Sequence, residues 1–421
     1  MERALIVGVD TKDKMNYDYS VEELKALAKA CEYEVAGVVT QCLDHPVSAT
    51  YIGSGKVEKI IELIEPMEID CLIFEDTLSP VQLKNLQHRI HAHIIDRTGL
   101  ILEIFSKRAK TREAKLQVES ANLAYMMPRL IGMWEAIGRQ GGTSGSKSNK
   151  GIGETQLELD RRWIQKRISE LRRELDAIEH DRDIKRRRRE KGSLPLVALV
   201  GYTNAGKSTI MNHLISKSLT SKEEKRVFEE DMLFATLDTS VRRIDVGNKK
   251  DFLLSDTVGF LDNLPHTLIK AFRSTLDEIK YADLLLIVVD LSDEHHLEQM
   301  MVTNDTLQEI GVTDIPCIYV MNKVDKCSED IDYPVIRGDK IYLSAREDKG
   351  IDELISFIQE TVYKDNRIAR FLIPYDKGKL VNEINEEAMI IKQEYVENGV
   401  RIEADVPKHL LGRLAEYLDI V

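Results

Sequence analysis

The chain has 421 residues and a formal net charge of −13. That length exceeds one ordinary core, so roughly two to four domains are expected. With 43% hydrophobic and 31% charged residues the composition is that of a soluble globular protein, and no apolar run is long enough for a bilayer span.

The opening MERALIVGVD leads directly into a strand pattern, without the basic stretch, apolar stretch and cleavage site of a secretory leader. Five scattered cysteines, Cys31, Cys42, Cys71, Cys317 and Cys327, have no metal-ligand spacing. An odd, sparse set fits a reducing cytosol better than a disulfide framework. The expected location is therefore cytoplasmic. Net acidity argues against nucleic acid, but its distribution argues otherwise: Lys107 to Lys191 holds 22 basic against 13 acidic residues. Such asymmetry points to a local face for a polyanion.

Residues 3–97 alternate strand and helix. Ala4–Val9, Glu34–Gln41, Cys71–Phe74 and His93–Asp96 read as strands, with helices after Ser20, Ser54 and Ser79. Ser20 and Glu23 have the spacing of a capping box. The alternation predicts a small parallel sheet covered by helices. From Arg112 to about Met127 the pattern is helical, with Leu116, Leu123 and Leu130 at heptad spacing. Gly138 to Gly153, rich in Gly, Ser and Lys, is expected to hold no regular structure. A second helix is expected from about Thr155 to Arg189, with Leu157, Ile164, Ile168, Leu171, Leu175 and Ile178 as its stripe. The two helices should form an antiparallel hairpin with a flexible basic tip.

Gly192-Ser-Leu-Pro195 opens a new domain. Leu196–Val200, Phe252–Ser255, Leu284–Val289, Cys317–Met321 and Lys340–Leu343 read as buried strands. The tail from Arg370 contains a strand at Phe371–Pro374, a helix at Lys379–Glu387, and a hairpin of Ile390–Glu397 and Val400–Ala404 turned at Asn398-Gly399. A last helix is expected over Pro407–Leu418.

Gly201-Tyr202-Thr203-Asn204-Ala205-Gly206-Lys207-Ser208 fits the P-loop pattern and lies between a strand and a helix, with Thr209 following. Its glycines let backbone N–H groups wrap phosphates, Lys207 reaches their oxygens, and the Ser208 hydroxyl suits Mg²⁺. Asp256-Thr-Val-Gly259 ends a later strand. Asp256 would hold Mg²⁺, usually through water, and the Gly259 amide would sense the γ-phosphate. Asn322-Lys323-Val-Asp325 makes the reading specific. A carboxylate at Asp325 accepts both guanine N1–H and the exocyclic amine, a pair that adenine lacks. Asn322 would bond near the base edge and Lys323 would pack over the ring. Ser344-Ala345-Arg346 follows another strand and offers the Ala345 amide to guanine O6. The polar stretch Lys222–Arg243 should contain a first switch; Thr236 is the expected threonine over Mg²⁺, with Thr239 as the alternative. Phe260 stands where many small GTPases carry a glutamine that orients the attacking water, so hydrolysis should be slow without a partner. The expected cofactors are GTP or GDP and Mg²⁺, with Lys207, Thr236 and Gly259 at the reacting phosphate.

The segment Asp256 to Glu278, DTVGFLDNLPHTLIKAFRSTLDE, resembles the second-switch signature of the HflX GTPases, as do Tyr51-Ile-Gly-Ser-Gly-Lys56, Gly138-Arg-Gln-Gly-Gly142 and Gly151-Ile-Gly-Glu-Thr-Gln-Leu-Glu158. The likeness spans about residues 1–365; the tail resembles a shorter C-terminal domain of some members. The resemblance implies a monomeric translational GTPase that binds the large (50S) ribosomal subunit and its rRNA. It further implies that the hairpin tip reaches toward the peptidyl-transferase region, and that the GTP form splits stalled or idle 70S ribosomes, especially under heat stress. Peripheral association with membrane fits the same reading.

The expected fold is α/β: an N-terminal α/β subdomain (1–106), a helical hairpin (107–192), a P-loop GTPase domain (193–365) and a C-terminal α+β domain (366–421). Arg139, Lys147 and Lys150 are the candidate RNA contacts, with no acid between Glu135 and Glu154, and Trp134 a candidate for stacking on a base. A solvated linker with a core tryptophan is the other reading. Lys185-Arg-Arg-Arg-Arg189 reads either as an RNA contact or as a solvated helix end. Gly53-Ser-Gly-Lys56 is read as a turn or a second nucleotide loop. A switch recruiting a protein or membrane partner through the hairpin is the competing function. The N-terminal domain offers no catalytic constellation of its own.

Overall fold

A computed structural model describes residues 2–12, 16–140, 148–190, 194–219, 234, 240–257, 259–261, 268, 272, 276–327 and 331–419; within 131–140, 148–157 and 183–190, and at 409, the description is of backbone only. Two compact units result. The first is Met1–Arg187 with Glu230–Asp238 and Asp262–Thr275; the second is Arg188–Glu229, Thr239–Leu261 and Leu276–Val421.

The first unit opens with a four-stranded sheet ordered β2-β1-β3-β4, formed by β1 (Arg3–Thr11), β2 (Glu34–Leu43), β3 (Cys71–Phe74) and β4 (His93–Asp96). Every pairing in it is parallel. The helices are α1 (Tyr17–Ala30), α2 (Ser54–Ile64), α3 (Pro80–Gln87) and α4 (Arg97–Arg108). Continuous Ile, Val and Leu runs on the central strands are buried, as a sheet covered on both faces requires.

The capping box is not where the sequence suggested. Helix α1 starts three residues before Ser20, at Tyr17, so Ser20 lies inside it. Its hydroxyl donates to Glu75 (2.7 Å), and Glu23 instead pairs with buried Arg97. The reciprocal box occurs at α3, between Ser79 and Gln82.

Helices α5 (Arg112–Gln140) and α6 (Ser148–Glu190) form the expected hairpin. Arg112–Glu174 (2.8 Å), Arg182–Glu113 (2.8 Å) and Arg167–Glu119 (2.7 Å) give antiparallel pairing, and Ile164 and Leu171 are buried in its seam. Both helices outrun expectation. Helix α5 continues through Pro128 rather than ending near Met127. A proline costs its own N–H and crowds the preceding turn, but here the turn is tied from outside. Arg129 donates to Tyr125 O (2.9 Å), Leu78 O (3.2 Å) and Asp96 Oδ2 (2.6 Å), and Tyr125 OH reaches Asp96 Oδ1 (2.7 Å). The Gly138–Gly153 segment is correspondingly helical at 138–140 and 148–153, so only 141–147 remains outside the described residues.

The second unit holds a seven-stranded sheet ordered β10-β11-β9-β8-β5-β7-β6. Its strands are β5 (Leu196–Gly201), β6 (Ser240–Ile244), β7 (Phe252–Asp256), β8 (Leu284–Asp290), β9 (Cys317–Asn322), β10 (Val335–Arg337) and β11 (Lys340–Tyr342). The inner pairings are parallel, while β6 on β7 and β10 on β11 are antiparallel. Edge strands β6 and β10 are additions to the sequence reading; both are short and half-exposed, with no apolar run to mark them. Helices α7 (Lys207–Lys217), α8 (His296–Glu309) and α9 (Ile351–Val362) complete this part.

The tail is a three-stranded antiparallel sheet ordered β12-β14-β13, with β12 (Arg367–Ile373), β13 (Met389–Val396) and β14 (Gly399–Val406). Helices α10 (Gly378–Glu387) and α11 (Lys408–Arg413) close its core. The β13–β14 turn is Glu397-Asn398, one residue earlier than expected, because Gly399 already pairs with Val396. The expected last helix, Pro407–Leu418, is shorter: α11 ends at Arg413 and a 3₁₀ turn covers Ala415–Tyr417. Among the described residues no helix is long and apolar enough to cross a membrane.

Candidate nucleotide site

The P-loop leaves β5 at Gly201 and enters α7 at Lys207. Two features of the chain force its shape. Gly201 (φ 141°), Asn204 (φ 61°) and Gly206 (φ 98°) turn the backbone the left-handed way. At Gly206 a Cβ would also lie 2.2 Å from Asn322 Nδ2, so no side chain fits there. Lys207 folds over the loop and donates to Gly201 O (3.0 Å) and Tyr202 O (2.7 Å). Burial pushes its ammonium down to about 8; the Asp256 carboxylate opposes that shift and the Lys323 charge adds to it. Among the described residues Thr203 Oγ1 is buried without a protein partner, a donor that a phosphate oxygen would satisfy.

Asp256 ends β7 fully buried, its Oδ1 accepting from Thr257 N (3.0 Å). Thr257 ties back to β5 through Leu199 O (2.6 Å). Gly259 lies against the P-loop: a Cβ there would meet Lys207 Nζ at 2.8 Å and Thr203 Cα at 3.0 Å. Phe260 is buried, and its backbone pairs with the P-loop through Phe260 N to Gly201 O (3.1 Å) and Thr203 N to Phe260 O (2.8 Å). Its ring is buried rather than turned to solvent. Ser208 and Thr209 open α7 beside Lys207. A serine hydroxyl and a buried carboxylate are hard oxygen donors, a set that fits Mg²⁺.

The residues expected at the base converge from two strand ends. Asn322 is buried; its Nδ2 donates to Ala205 O (2.9 Å) and its Oδ1 accepts from Ala345 N (3.0 Å). The side chain expected at the base edge thus clamps the P-loop to the Ser344-Ala345-Arg346 loop, and the Ala345 amide expected for guanine O6 is engaged by Asn322. Ser344 Oγ donates to Asp325 Oδ1 (2.6 Å) and orients that carboxylate. Lys323 has φ 62° and donates to Asn204 O (2.8 Å) and Asp290 Oδ2 (2.7 Å). Arg346 is exposed beyond them.

Sequence reasoning missed Asp290, the last residue of β8. An acid closing an otherwise apolar run, LLLIVVD, was the available signal. It also missed the partners of the switch regions. Phe234 and Phe272, both in the first unit, stack edge-on against Phe105 of α4, with centroids 4.8 and 4.7 Å away. Thr236, Thr239 and Lys147 lie outside the described residues, as do the side chains of Trp134, Arg139, Lys150 and residues 185–189. The Gly53-Ser-Gly-Lys56 segment differs from the P-loop. Gly53 has an ordinary extended backbone (φ −65°), its N–H goes to Gln41 Oε1 (2.9 Å), and Tyr51 bridges Val47. That is the geometry of a structural turn.

Comparison with known proteins follows the same order along the chain. Residues 18–106 match the family description "GTP-binding GTPase N-terminal", 108–189 "GTP-binding GTPase Middle Region", and 196–323 "50S ribosome-binding GTPase". GTPase HflX of Caldanaerobacter subterraneus subsp. tengcongensis is 39% identical over 417 residues, 99% of this chain and 94% of that protein. GTPase HflX of Escherichia coli is 37% identical over 404 residues, 94% of this chain and 92% of that protein. Among solved structures, a GTP-binding protein of Sulfolobus solfataricus in complex with GDP aligns over 86% of this chain and 99% of its own, at 25% identity and a TM-score of 0.46. Identity at this level over nearly the full length of both bacterial relatives shows that the chain belongs to the HflX family of GTPases.

Proposed function

We propose that this protein is a Mg²⁺-dependent, GTP-hydrolysing switch that binds the large ribosomal subunit and splits stalled or idle ribosomes under stress. The observation that supports the nucleotide part is the clamp through Asn322, which ties the phosphate loop to the Ser344-Ala345-Arg346 loop, whose Ser344 orients the Asp325 carboxylate. Asp325 selects guanine by accepting two donors at once. Lys207 moves from the Gly201 and Tyr202 carbonyls to the phosphates and balances charge there. Ser208, Asp256 and Thr236 would hold Mg²⁺, which would neutralise phosphate charge. The Gly259 amide answers to the γ-phosphate. Tyr202, Thr203, Asn204, Ala205 and Gly206 line the phosphate loop; Thr203, whose N–H goes to Phe260 O (2.8 Å), offers its hydroxyl, and Asn204 and Gly206 offer backbone N–H groups.

The ribosomal part is supported by the family match over 196–323, described as a 50S ribosome-binding GTPase, and by the positive balance of the hairpin region. Arg139, Lys147 and Lys150 neutralise rRNA phosphates at the hairpin tip, and the protein acts as a monomer. Domain limits of 1–106, 107–192, 193–365 and 366–421 are proposed for separate expression.

The test is sedimentation with purified subunits and with intact ribosomes, with GDP, GTP or a non-hydrolysable GTP analogue. Co-sedimentation with the large subunit that strengthens in the analogue, together with loss of the intact-ribosome peak, is the expected result. Binding unaffected by nucleotide would refute the switch. Binding that leaves ribosomes intact would refute splitting.

A further inference from the structure

Lys323 is held at both ends. Its backbone sits in the left-handed region at the entry to the 3₁₀ turn Val324–Lys326. Its ammonium, at the other end of four methylenes, is divided between Asn204 O (2.8 Å) and Asp290 Oδ2 (2.7 Å). Both partners of the ion pair are largely buried, at 15% and 16% side-chain exposure. Asp290 is itself aimed. Ser292 N (3.1 Å) and Ser292 Oγ (2.6 Å) both donate to its Oδ1, leaving Oδ2 for the lysine. Its backbone faces Asn322 across β8–β9, and Leu291 N donates to Asn322 O (3.0 Å). Strand β8 thus delivers a carboxylate to the rim of the pocket and registers it against the start of the Asn322–Asp325 segment.

We infer that Asp290 is a positioning residue for nucleotide binding: it stretches the Lys323 side chain into a fixed wall against which the purine ring packs. The physical case is one of preorganisation. A free lysine loses most of its rotamer freedom when a ring settles on its methylenes. A lysine already pinned has lost it on folding, so the saving appears as tighter binding. Charge-assisted hydrogen bonds between poorly solvated groups are the strong kind, and Asn204 O alone is a neutral acceptor.

The inference rests on the guanine-pocket reading, and the experiment separates the two. Release of fluorescent GDP and of fluorescent IDP is measured for wild type, Asp290→Asn, Lys323→Ala and the double variant, with steady-state hydrolysis in parallel. Lys323→Ala should speed release; a wild-type rate there would refute the pocket reading itself. Asp290→Asn should speed release of both nucleotides by about tenfold, equivalent to about 1.4 kcal/mol. It should raise KM with kcat kept, because the contact is made equally in ground and transition states. The GDP-to-IDP ratio should stay at the wild-type value, since the lysine wall senses the ring and not its exocyclic amine; a general collapse of the pocket would change that ratio. On the Lys323→Ala background Asp290→Asn should add nothing. Ser292→Ala keeps the charge but removes one donor that aims it, and should speed release about two- to threefold. Wild-type release in both Asp290→Asn and Ser292→Ala, or an undiminished effect of Asp290→Asn without Lys323, would overturn the inference.

Discussion

Raising the pH should weaken nucleotide binding through Lys207. In the nucleotide-free protein burial holds its ammonium down to about 8, with the Asp256 carboxylate in opposition and Lys323 reinforcing the shift. Bound phosphates supply the missing counter-charge and return the group toward the ordinary lysine range, near 10.4. The sign follows. Below about pH 8 the lysine already carries its proton and binding needs none. Above it, the free protein has lost the proton and must take one up to bind, so affinity falls as pH rises. At about pH 7 roughly nine-tenths of the free protein is protonated, and at about pH 9 roughly one-tenth, so GDP affinity should fall about tenfold across that interval. Calorimetric titration with GDP at about pH 8.5, in buffers of different ionisation enthalpy, should show uptake of roughly three-quarters of a proton. Lys207→Arg, whose guanidinium stays charged, should bind with a flat profile in whatever affinity remains. Unchanged wild-type affinity together with zero proton uptake would refute the buried, partly neutralised Lys207.

Asp325→Asn should weaken GTP and favour xanthine nucleotides, because an amide donor faces a guanine donor; retention of wild-type preference in competition binding would remove Asp325 from the base contact. Arg129→Ala strands the Asp96 carboxylate, which is buried and accepts from Leu78 N and Gly99 N as well; a loss of about 3–5 kcal/mol is expected, read as lost hydrogen-exchange protection in α5 around Pro128. Phosphate release under saturating GTP should accelerate with large subunits, since buried Phe260 orients no water; equal rates with and without them would mean a complete site. Replacing residues 141–150 by a short Gly-Ser linker should lower large-subunit affinity and its salt dependence while GDP affinity holds; normal ribosome binding would assign the tip to solvent.

The motifs of the candidate nucleotide site were legible in the chain because each is local. A P-loop, an Asp-x-x-Gly segment and an Asn-Lys-x-Asp segment are each a pattern of a few consecutive residues, and each lies at the carboxyl end of an apolar inner strand. The buried parallel strands and the heptad stripe were legible for the same reason, since periodicity along the chain is the pattern of what it buries. Tertiary structure decided what depends on distant partners. Ser20 and Glu23 had a capping-box spacing, but the helix began earlier and both side chains found partners far along the chain, Glu75 after β3 and Arg97 of α4. Pro128 stays inside α5 because Asp96, on another element, holds the turn around it. Asn322 proves to be a clamp between two loops, and Asp290 meets Lys323 across 33 positions of chain. No local pattern announces such contacts: a side chain's role in a pocket is set by what the fold brings within about 3 Å of it, and that is a property of strand order and register rather than of neighbours in sequence.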